Sequence, residues 1–332
     1  MEGFDIPVVL FIFKRIKAVE IVERIAKVRP QKLYLMADQG RNEEEMKQAE
    51  ECRKLVEQAI TWDCEVVKDY AEQNRGVYNN IAQGAIRVLR KERWAIFLED
   101  DNLPELTFFP FCKEMLEKYE QDSRILWVCG TNYLGEYSSK HGESYMFTRH
   151  MLPCGWASWS GKFERFYDGE LSLYNDPAVM ERIPKSYLNK ALYEQYKERW
   201  SAEYRRIAAG KLPRSWDYQM DFSIKAHGLY GICPHRNQIK NIGADELSTH
   251  GGTGMNLVMT KRFCGMESYA LDFPLHHPKT VLPDQEFDKK LGKIILMPLR
   301  LRLFAKTVKV VKRILRIPYD ESLSLFLKNR FK

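Results

Sequence analysis

The sequence predicts an α/β protein built on a mostly parallel β-sheet that is covered by helices. Its first hundred residues alternate between apolar runs of strand length and segments of helical spacing, in the order β-α-β-α-β-α-β. With 332 residues the chain can bury a large core. No stretch approaches the roughly 20 apolar residues that a membrane-spanning helix needs.

Each element is predicted from its own pattern. Short runs rich in Val, Ile, Leu and Phe indicate strands, and apolar residues repeated every three or four positions indicate helices. The expected strands cover residues 6–15, 32–41, 64–70, 94–101 and 124–132. The expected helices cover residues 17–28, 42–59 and the segment that follows Gly76. The middle of the chain, rich in aromatic residues, is expected to be irregular.

Four of the expected strands end in polar residues, where an open α/β sheet usually binds its ligand. These residues are Arg15, Asp38, Asp69 and the run Glu99, Asp100 and Asp101. The first strand is followed by no Gly-x-Gly-x-x-Gly turn, and the chain has no Gly-Lys-Ser/Thr phosphate loop. The sequence therefore argues against a dinucleotide dehydrogenase and a P-loop ATPase.

The three adjacent carboxylates at 99–101 need either water or a cation, because like charges repel and burial increases the cost. Hard divalent cations prefer oxygen ligands and often use only one or two protein carboxylates. Neighbours on a strand point to opposite faces, so all three cannot face one ion. We expect Asp101 to bind the metal directly, Asp100 through water or a ribose, and Glu99 to point inward. The alternative is a solvated acidic turn.

Four blocks of the sequence resemble bacterial GT-A glycosyltransferases that act on surface polysaccharides. The first is "IFLEDDNLPELTFFPFCKEMLEKYEQDSRILWVCGTN" at 96–132, and the second is "YMFTRHMLPCGWASWSGKFERFYD" at 145–168. "SWDYQM" at 215–220 and "NIGADELSTHGG" at 241–252 resemble two later blocks. The similarity in order and spacing extends over residues 7–250, about three quarters of the chain.

The resemblance implies a Rossmann-like GT-A fold and a nucleotide diphosphate sugar donor, with a divalent cation, Mn²⁺ or Mg²⁺, holding the diphosphate. The implied metal ligands are Asp101, Asp100 and His250, and an imidazole suits Mn²⁺ better than Mg²⁺. The residues expected near the nucleotide sugar are Arg15, Asp38, Arg75, Glu99 and Asp100. Surface salt bridges are the alternative for the first three. Two departures from the family pattern, Lys14 and the turn "DQGR", affect this nucleotide region.

An inverting reaction needs a base to accept the proton of the acceptor hydroxyl. Asp217 matches the family block and is the expected base, with a helix N-cap as the alternative role. Asp221, one helical turn further on, is the second candidate. Trp156 and Trp159 are expected to stack on sugar rings of the acceptor, with core packing as the alternative.

The charge of the chain is uneven. The net charge is +7, but residues 289–332 carry +11 and the remainder −4. Such an acidic body argues against a nucleic-acid binder. In the tail, apolar and cationic residues form two opposite stripes that predict an interfacial helix near anionic lipids, interrupted at Pro298. The apolar stripe is Leu301, Phe304, Val308, Val311 and Leu315, and the cationic stripe is Arg302, Lys306, Lys309, Arg313 and Arg316. The alternative is a helix that packs on the body.

We expect three regions: a nucleotide-sugar-binding half (1–135), an acceptor-binding and catalytic half of the same domain (136–275), and a membrane-associating tail (276–332). Seven cysteines without a Cys-x-x-Cys pair, and no visible signal peptide, favour the cytoplasm. The expected activity is metal-dependent, inverting transfer of a sugar to a hydroxyl of a glycan or lipid-linked acceptor. We expect it at the inner face of the cell membrane, in surface polysaccharide synthesis.

Two other functions stay open at this point. A sugar nucleotidyltransferase would build on a similar sheet, but it usually needs a glycine-rich loop after the first strand, and "IFKRIKAVE" contains no glycine. A non-catalytic, membrane-associated sugar-binding module would keep the fold without the reaction. The acidic residue Asp217 and the metal-ligand candidates Asp101 and His250 argue against loss of activity.

Overall fold

The computed structural model describes residues 3–244 and 257–317, together with Leu323 and Phe326. The strands within these ranges are β1 (Val8–Ile12), β2 (Lys32–Ala37), β3 (Glu65–Tyr70), β4 (Trp94–Glu99), β5 (Asn102–Pro104), β6 (Ile125–Cys129), β7 (Tyr145–Thr148), β8 (Trp156–Trp159), β9 (Tyr230–Pro234) and β10 (Ile239–Asn241). The α-helices are α1 (Ala18–Val28), α2 (Glu43–Gln58), α3 (Gly76–Leu89), α4 (Phe108–Tyr119), α5 (Ser160–Phe166), α6 (Pro177–Arg182), α7 (Lys190–Ala208), α8 (Asp217–Ala226), α9 (Val258–Phe263), α10 (Gln285–Ile295) and α11 (Leu299–Ile314).

The central sheet has eight strands in the order β3-β2-β1-β4-β8-β6-β9-β7. Strands β1 to β4 pair in parallel, and only β7 and β8 run against the other six described strands of this sheet. β5 and β10 form a separate antiparallel pair. The predicted fold class, a mostly parallel α/β sheet with flanking helices and a basic C-terminal helix, is confirmed.

Helices cover both faces of the sheet because side chains alternate along each strand. In β1, Val9 and Phe11 join the core beneath α3, whereas Val8 and Leu10 join the core beneath α1. Both strand faces are therefore apolar, which explains the near-continuous hydrophobic run of β1. The first hundred residues follow the predicted order of strands and helices.

The middle of the chain is more regular than its sequence suggested. It contributes β7, β8 and β9 to the sheet and the 19-residue helix α7 to one face. β8 lies antiparallel between β4 and β6, so the sheet continues through a strand that local sequence patterns did not predict.

Trp156 and Trp159 lie in the core, which corrects their expected role in binding the acceptor. Trp156 is 1% exposed, and its ring stacks on Phe97 at 3.9 Å and on Trp127 at 4.2 Å between ring centroids. Trp159 is 2% exposed and donates its indole N–H to the carbonyl of Leu116 at 2.8 Å. Both indoles belong to β8, whose two faces are buried, so no ring face is left for a sugar.

The C-terminal region consists of two helices divided at Pro298, as predicted. α10 buries Phe287, Leu291 and Ile295 against the body, so it belongs to the folded core although residue 276 was the expected start of the tail. α11 has no buried residue. None of the helices in the described parts of the chain has the length and apolar character required to cross a membrane.

Candidate active site

The candidate site lies where the strand order reverses. The chain builds β1, β2 and β3 outward in one direction and then returns to place β4 on the other side of β1. Ligands of open α/β sheets bind at such a point, beyond the carboxyl ends of the strands. β1 ends at Ile12 and is followed by Arg15, and β4 ends at Glu99 directly before Asp100 and Asp101.

Arg15 neutralises part of the acidic run. Its Nη1 lies 2.6 Å from Asp100 Oδ1 and 3.4 Å from Asp101 Oδ2. The second oxygen of Asp100 accepts the N–H of Phe13 at 3.2 Å. Burial nevertheless raises the pKa of Asp100 to about 6, with Arg15 acting in the opposite direction. Both oxygens of Asp100 are therefore held by the residues that follow β1, whereas Asp101 accepts the side-chain N–H of Asn102 and lies further from Arg15.

The alternation of side chains along β4 suggested that Glu99 points into the core, but it lines a cavity instead. β4 ends at this residue, and Asp100 and Asp101 follow in a turn, so all three carboxylates line one cavity. Glu99 makes no hydrogen bond or ion pair with the residues that the structure describes. Burial, and then the neighbouring Asp101, Asp100 and Asp217, raise its pKa well above the usual range. Excess negative charge thus surrounds an unpaired carboxyl group.

A small cavity of about 160 Å³ lies on the β2 side of Arg15. Asp38, at the end of β2, shapes its rim by accepting the backbone N–H groups of Arg75 at 2.7 Å and Gly76 at 3.0 Å. Gly76 has a φ of +74°, which favours glycine at the start of α3. The described lining combines apolar and polar side chains: Phe11, Ile12, Phe13, Lys14, Arg15, Asp38, Arg41, Asn74, Gly76, Val77, Asn80, Ile81, Glu99 and Asp100.

Arg75 is not among the described lining residues of the small cavity. Its Nη2 pairs with Asp69 Oδ1 at 2.7 Å, as the salt-bridge alternative predicted. Arg87 binds the other oxygen of the same carboxylate. The guanidinium of Arg75 therefore supports the loop before α3, which corrects its expected position beside the nucleotide.

A second cavity of about 360 Å³, here named the acidic cavity, adjoins the small cavity and shares Arg15, Glu99 and Asp100 with it. Five carboxyl groups line its described part, against two guanidinium groups. The carboxyl groups are Glu99, Asp100, Asp101, Asp217 and Asp221, and the guanidinium groups are those of Arg15 and Arg199. Together the two cavities fall within the ~300–1,000 Å³ range of small-molecule sites.

Asp217 and Asp221 reach the acidic cavity from the first two turns of α8. Asp217 is the first residue of the helix rather than its N-cap, and the hydroxyl of Ser215 donates to its Oδ1. The helix macrodipole stabilises a negative charge at that end. The geometry thus leaves Asp217 free of the capping role that was its alternative.

Asp221 is 2% exposed, and neither of its oxygens has a partner of hydrogen-bonding geometry among the described residues. The Tyr187 hydroxyl and the Trp200 indole N–H lie beside it as donors outside that geometry. Burial raises the pKa of Asp221 to about 7; Lys225 and the Trp200 N–H act in the opposite direction and Asp217 in the same direction. Asp221 is thus a carboxyl group that takes up a proton near neutral pH.

The carboxylates suit a hard divalent cation with one or two protein ligands. Within residues 3–244 and 257–317, no group of three or more His, Cys, Asp or Glu side chains is arranged as a metal site. His250, the implied third ligand, lies outside the described residues. Gly243 packs so closely on Asp101 that a Cβ at this position would collide with its Oδ2. The unpaired Glu99 beside Asp101 is the observation that fits a bound cation.

Sequence reasoning missed several polar residues of the site. Arg199 lines the acidic cavity from α7, with its guanidinium 5.1 Å from the ring centre of Tyr218. In the small cavity, Lys14 and Arg41 both bind Glu45, and this hydrogen bonding holds the pKa of Glu45 well below its usual range. Lys14 and the turn containing Arg41 were noted only as departures from the family pattern, and Arg199 looks like a surface residue of a helix in the sequence.

No protein-family model matches the chain, and no curated protein sequence matches it. Solved structures with similar folds include UDP-glucose pyrophosphorylase complexed with UDP-glucose (11% identity, TM-score 0.35, 71% of this chain and 92% of that chain). Another is a Pyrobaculum calidifontis mannosyltransferase in complex with GDP-Man and Mn²⁺ (12% identity, TM-score 0.37, 68% of this chain and 70% of that chain). A third is apo mouse xyloside xylosyltransferase 1 (10% identity, TM-score 0.31, 67% of this chain and 82% of that chain). At TM-scores below 0.5, these likenesses assign no activity to this chain.

Proposed function

We propose that this protein is a metal-dependent glycosyltransferase that moves a sugar from a nucleotide diphosphate to a hydroxyl group of a glycan or lipid-linked acceptor, in surface polysaccharide synthesis. The observation that carries the proposal is the pair of adjoining cavities at the β1/β4 switch point, one of mixed lining and one with excess carboxylates. A nucleoside suits the small cavity. The acidic cavity would repel a diphosphate unless a divalent cation lay between them.

The residues divide the chemistry between the two cavities. Asp101 and Glu99 would hold the cation, which when bound supplies Lewis-acid stabilisation to the departing diphosphate. Arg15 fixes Asp100 and Asp101 and lines both cavities, so it would face the diphosphate between them. Asp217 Oδ2, with Oδ1 held by Ser215, would accept the proton of the acceptor hydroxyl as the sugar is transferred. This route inverts the anomeric carbon.

The first test is thermal unfolding with UDP, GDP, CDP and dTDP, each with and without Mn²⁺. We expect one of these nucleotides to stabilise the protein only when Mn²⁺ is present. A ligand that binds only the folded state adds about 2.7 kcal/mol at 100 times its Kd. Asp101→Asn should lose this metal-dependent stabilisation because it removes a carboxylate charge from the acidic cavity.

Asp63→Asn is the matched control. Asp63 is exposed and precedes β3, so it lies at the amino end of the strand, whereas the site lies beyond the carboxyl ends. It should respond to nucleotide and Mn²⁺ as the wild type does. Absence of a metal-dependent response to all four nucleotides would contradict the proposed donor. An unchanged response in Asp101→Asn would instead show that the metal does not bind at the end of β4.

We further propose that α11 places the enzyme at an anionic membrane surface, at the inner face of the cell membrane. An ion pair ties the helix to the body, with Lys309 Nζ 2.6 Å from Glu198 Oε1, and Val308 and Val311 of the predicted apolar stripe are half-buried. Its exposed side combines the cations Lys306 and Arg313 with apolar side chains that are at least half exposed: Leu299, Leu303, Phe304, Val310 and Ile314. A helix that packed for stability would bury these side chains. The net charge of +11 after residue 288 complements anionic lipid headgroups.

This location suits a lipid-linked acceptor. Ile295, the last residue of α10, lines the acidic cavity, and α11 begins four residues later at Leu299. Gln195 of α7 fixes the connection by accepting the N–H of Met297 at 2.8 Å. An acceptor head group at the membrane surface would therefore lie close to the candidate base.

Removal of the outward apolar side chains should weaken membrane binding. We expect the variant Leu303→Ser/Val310→Ser/Ile314→Ser to partition onto vesicles with 30% phosphatidylglycerol at least ten-fold less than the wild type. Each side chain buried in the interface contributes on the order of 1 kcal/mol. Co-sedimentation measures the partitioning, and neutral phosphatidylcholine vesicles should bind the wild type less well.

The matched control is Leu188→Ser/Leu212→Ser/Leu282→Ser, which removes three equally exposed leucines from the body. It should bind vesicles as the wild type does. Equal vesicle binding by the α11 variant and this control would refute the membrane role of the helix, without any bearing on nucleotide binding.

A further inference from the structure

A third cavity, here named the Lys225 cavity, lies apart from the two cavities of the candidate site. Its volume is about 100 Å³, and it shares none of its described lining with them. Four cations and one carboxylate line it: Arg149 after β7, Lys225 of α8, Lys289 and Lys293 of α10, and Asp288. The described lining therefore has an excess of three positive charges, in contrast to the acidic cavity.

Lys225 is the unusual member of this group. It is 7% exposed, and its ammonium group makes no hydrogen bond or ion pair with any residue in the described ranges. Its close contact is the ring of Tyr187, 4.3 Å from Nζ to the ring centre. Burial lowers the pKa of Lys225, while Asp221 and Asp288 act in the opposite direction. A buried ammonium group without a direct partner is costly unless a counter-ion binds it.

Asp288 does not serve as that counter-ion. Its Oδ1 accepts the hydroxyl of Thr148 at 2.5 Å, and its Oδ2 lies 3.6 Å from Arg149 Nη1. Both oxygens also lie 3.3–3.4 Å from the backbone N–H of Arg149. The single carboxylate of the cavity is thus engaged by the end of β7 and forms no ion pair with Lys225.

We propose that the Lys225 cavity binds a small tetrahedral oxyanion, either inorganic phosphate or the phosphate group of a monoester. The cations converge from three separate elements, which suits an anion with oxygens in several directions. Lys289 and Lys293 are four residues apart on α10 and so share one face of the helix. Arg149 offers the planar donor fork that recognises phosphate. The volume of about 100 Å³, smaller than that of the cavity of about 160 Å³, suits a small anion.

The site also has a physical link to the candidate active site. Lys225 and Asp221 are four residues apart on α8, and they face different cavities. An anion beside Lys225 would offset part of its charge and so weaken its attraction for Asp221, which lines the acidic cavity. Occupation of the Lys225 cavity would therefore alter the electrostatics beside Asp217.

Isothermal titration of the full-length protein with inorganic phosphate tests the inference, with sodium chloride at equal ionic strength as the blank. We expect saturable binding by the wild type. Lys289→Ala/Lys293→Ala, which changes only exposed side chains, should weaken it at least ten-fold, and Lys225→Met should abolish it. The matched control, Lys47→Ala/Lys91→Ala, removes one exposed lysine from α2 and one from the turn after α3, and it should bind phosphate as the wild type does.

Two further results separate this site from the donor site. Phosphate binding should persist in Asp101→Asn and in the presence of a saturating nucleoside diphosphate. Displacement of all bound phosphate by the nucleotide would overturn the inference and leave the proposed function intact. Absence of saturable binding, or full binding by Lys289→Ala/Lys293→Ala, would also overturn it. A parallel titration with glycerol 3-phosphate assigns the ligand: tighter binding than phosphate identifies a monoester, and weaker binding identifies the free ion.

Discussion

Asp217→Asn is expected to lower the rate of sugar transfer by about 10²–10⁴-fold while leaving nucleotide binding unchanged. Asparagine keeps the shape of the side chain and its contact with Ser215, but it cannot accept a proton at neutral pH. Because the acceptor is unidentified, the measurable reaction is transfer to water. The release of nucleoside diphosphate from the donor selected in the thermal experiment reports its rate.

The control for this variant is again Asp63→Asn, which should keep the wild-type rate. Asp217→Asn should also show the wild-type stabilisation by nucleotide and Mn²⁺, so that a lost rate cannot come from lost donor binding. Full activity of Asp217→Asn, combined with loss of activity in Asp221→Asn, would contradict the assignment and place the base one helical turn further along α8.

Asp221→Asn should change how stability depends on pH. Burial raises the pKa of Asp221 from 3.8 to about 7. Between these values the folded protein holds a proton that the unfolded chain has lost, so this group makes wild-type stability increase as the pH falls from 8 towards 4. The variant lacks this contribution. The free energy of unfolding of the variant minus that of the wild type should therefore be about 2–3 kcal/mol more positive at pH 8 than at pH 5.

Urea unfolding of the metal-free protein at pH 8, 6.5 and 5 measures this difference. Both proteins contain the same histidines, so the histidine contributions to the pH dependence cancel in the difference. One of these histidines is His150, whose pKa is lowered by burial to about 4 and which would change stability in the opposite sense. Asp63→Asn provides the reference for an exposed carboxylate. A difference between Asp221→Asn and the wild type that stays constant from pH 8 to pH 5 would show that Asp221 is ionised throughout.

The sequence predicted best where one periodicity dominates. The alternation of β1, α1, β2, α2, β3, α3 and β4 followed from apolar spacing alone, and the acidic run was correctly placed at the end of β4. β8 was missed because "GWASW" is short and contains glycine and serine. Its strand conformation depends on hydrogen bonding with β4 and β6, which are distant in the sequence. Pairing over such distances leaves no local pattern.

The site was predicted less completely than the fold, for a related reason. Arg15 and Asp100 are 85 residues apart, and only the parallel pairing of β1 with β4 brings them together. Without that contact, Asp100 looks like a free metal ligand. Arg75 and Trp156 had the right residue types for binding, but their partners, Asp69 and Phe97, engage them inside the protein. Residue type gave the candidates, and tertiary contacts selected among them.

The aromatic stack around Trp156 connects the two ends of the proposed chemistry. Phe97, two residues before Glu99, packs on Trp156, and Trp156 lies 5.6 Å between ring centroids from Trp216, which directly precedes Asp217. These flat, incompressible rings act as a spacer between β4 and α8. The separation between the cation ligands and the base is therefore inherited from the hydrophobic interior. Substitutions in this stack would therefore change the distance between the proposed ligands and the proposed base without altering any residue of the site.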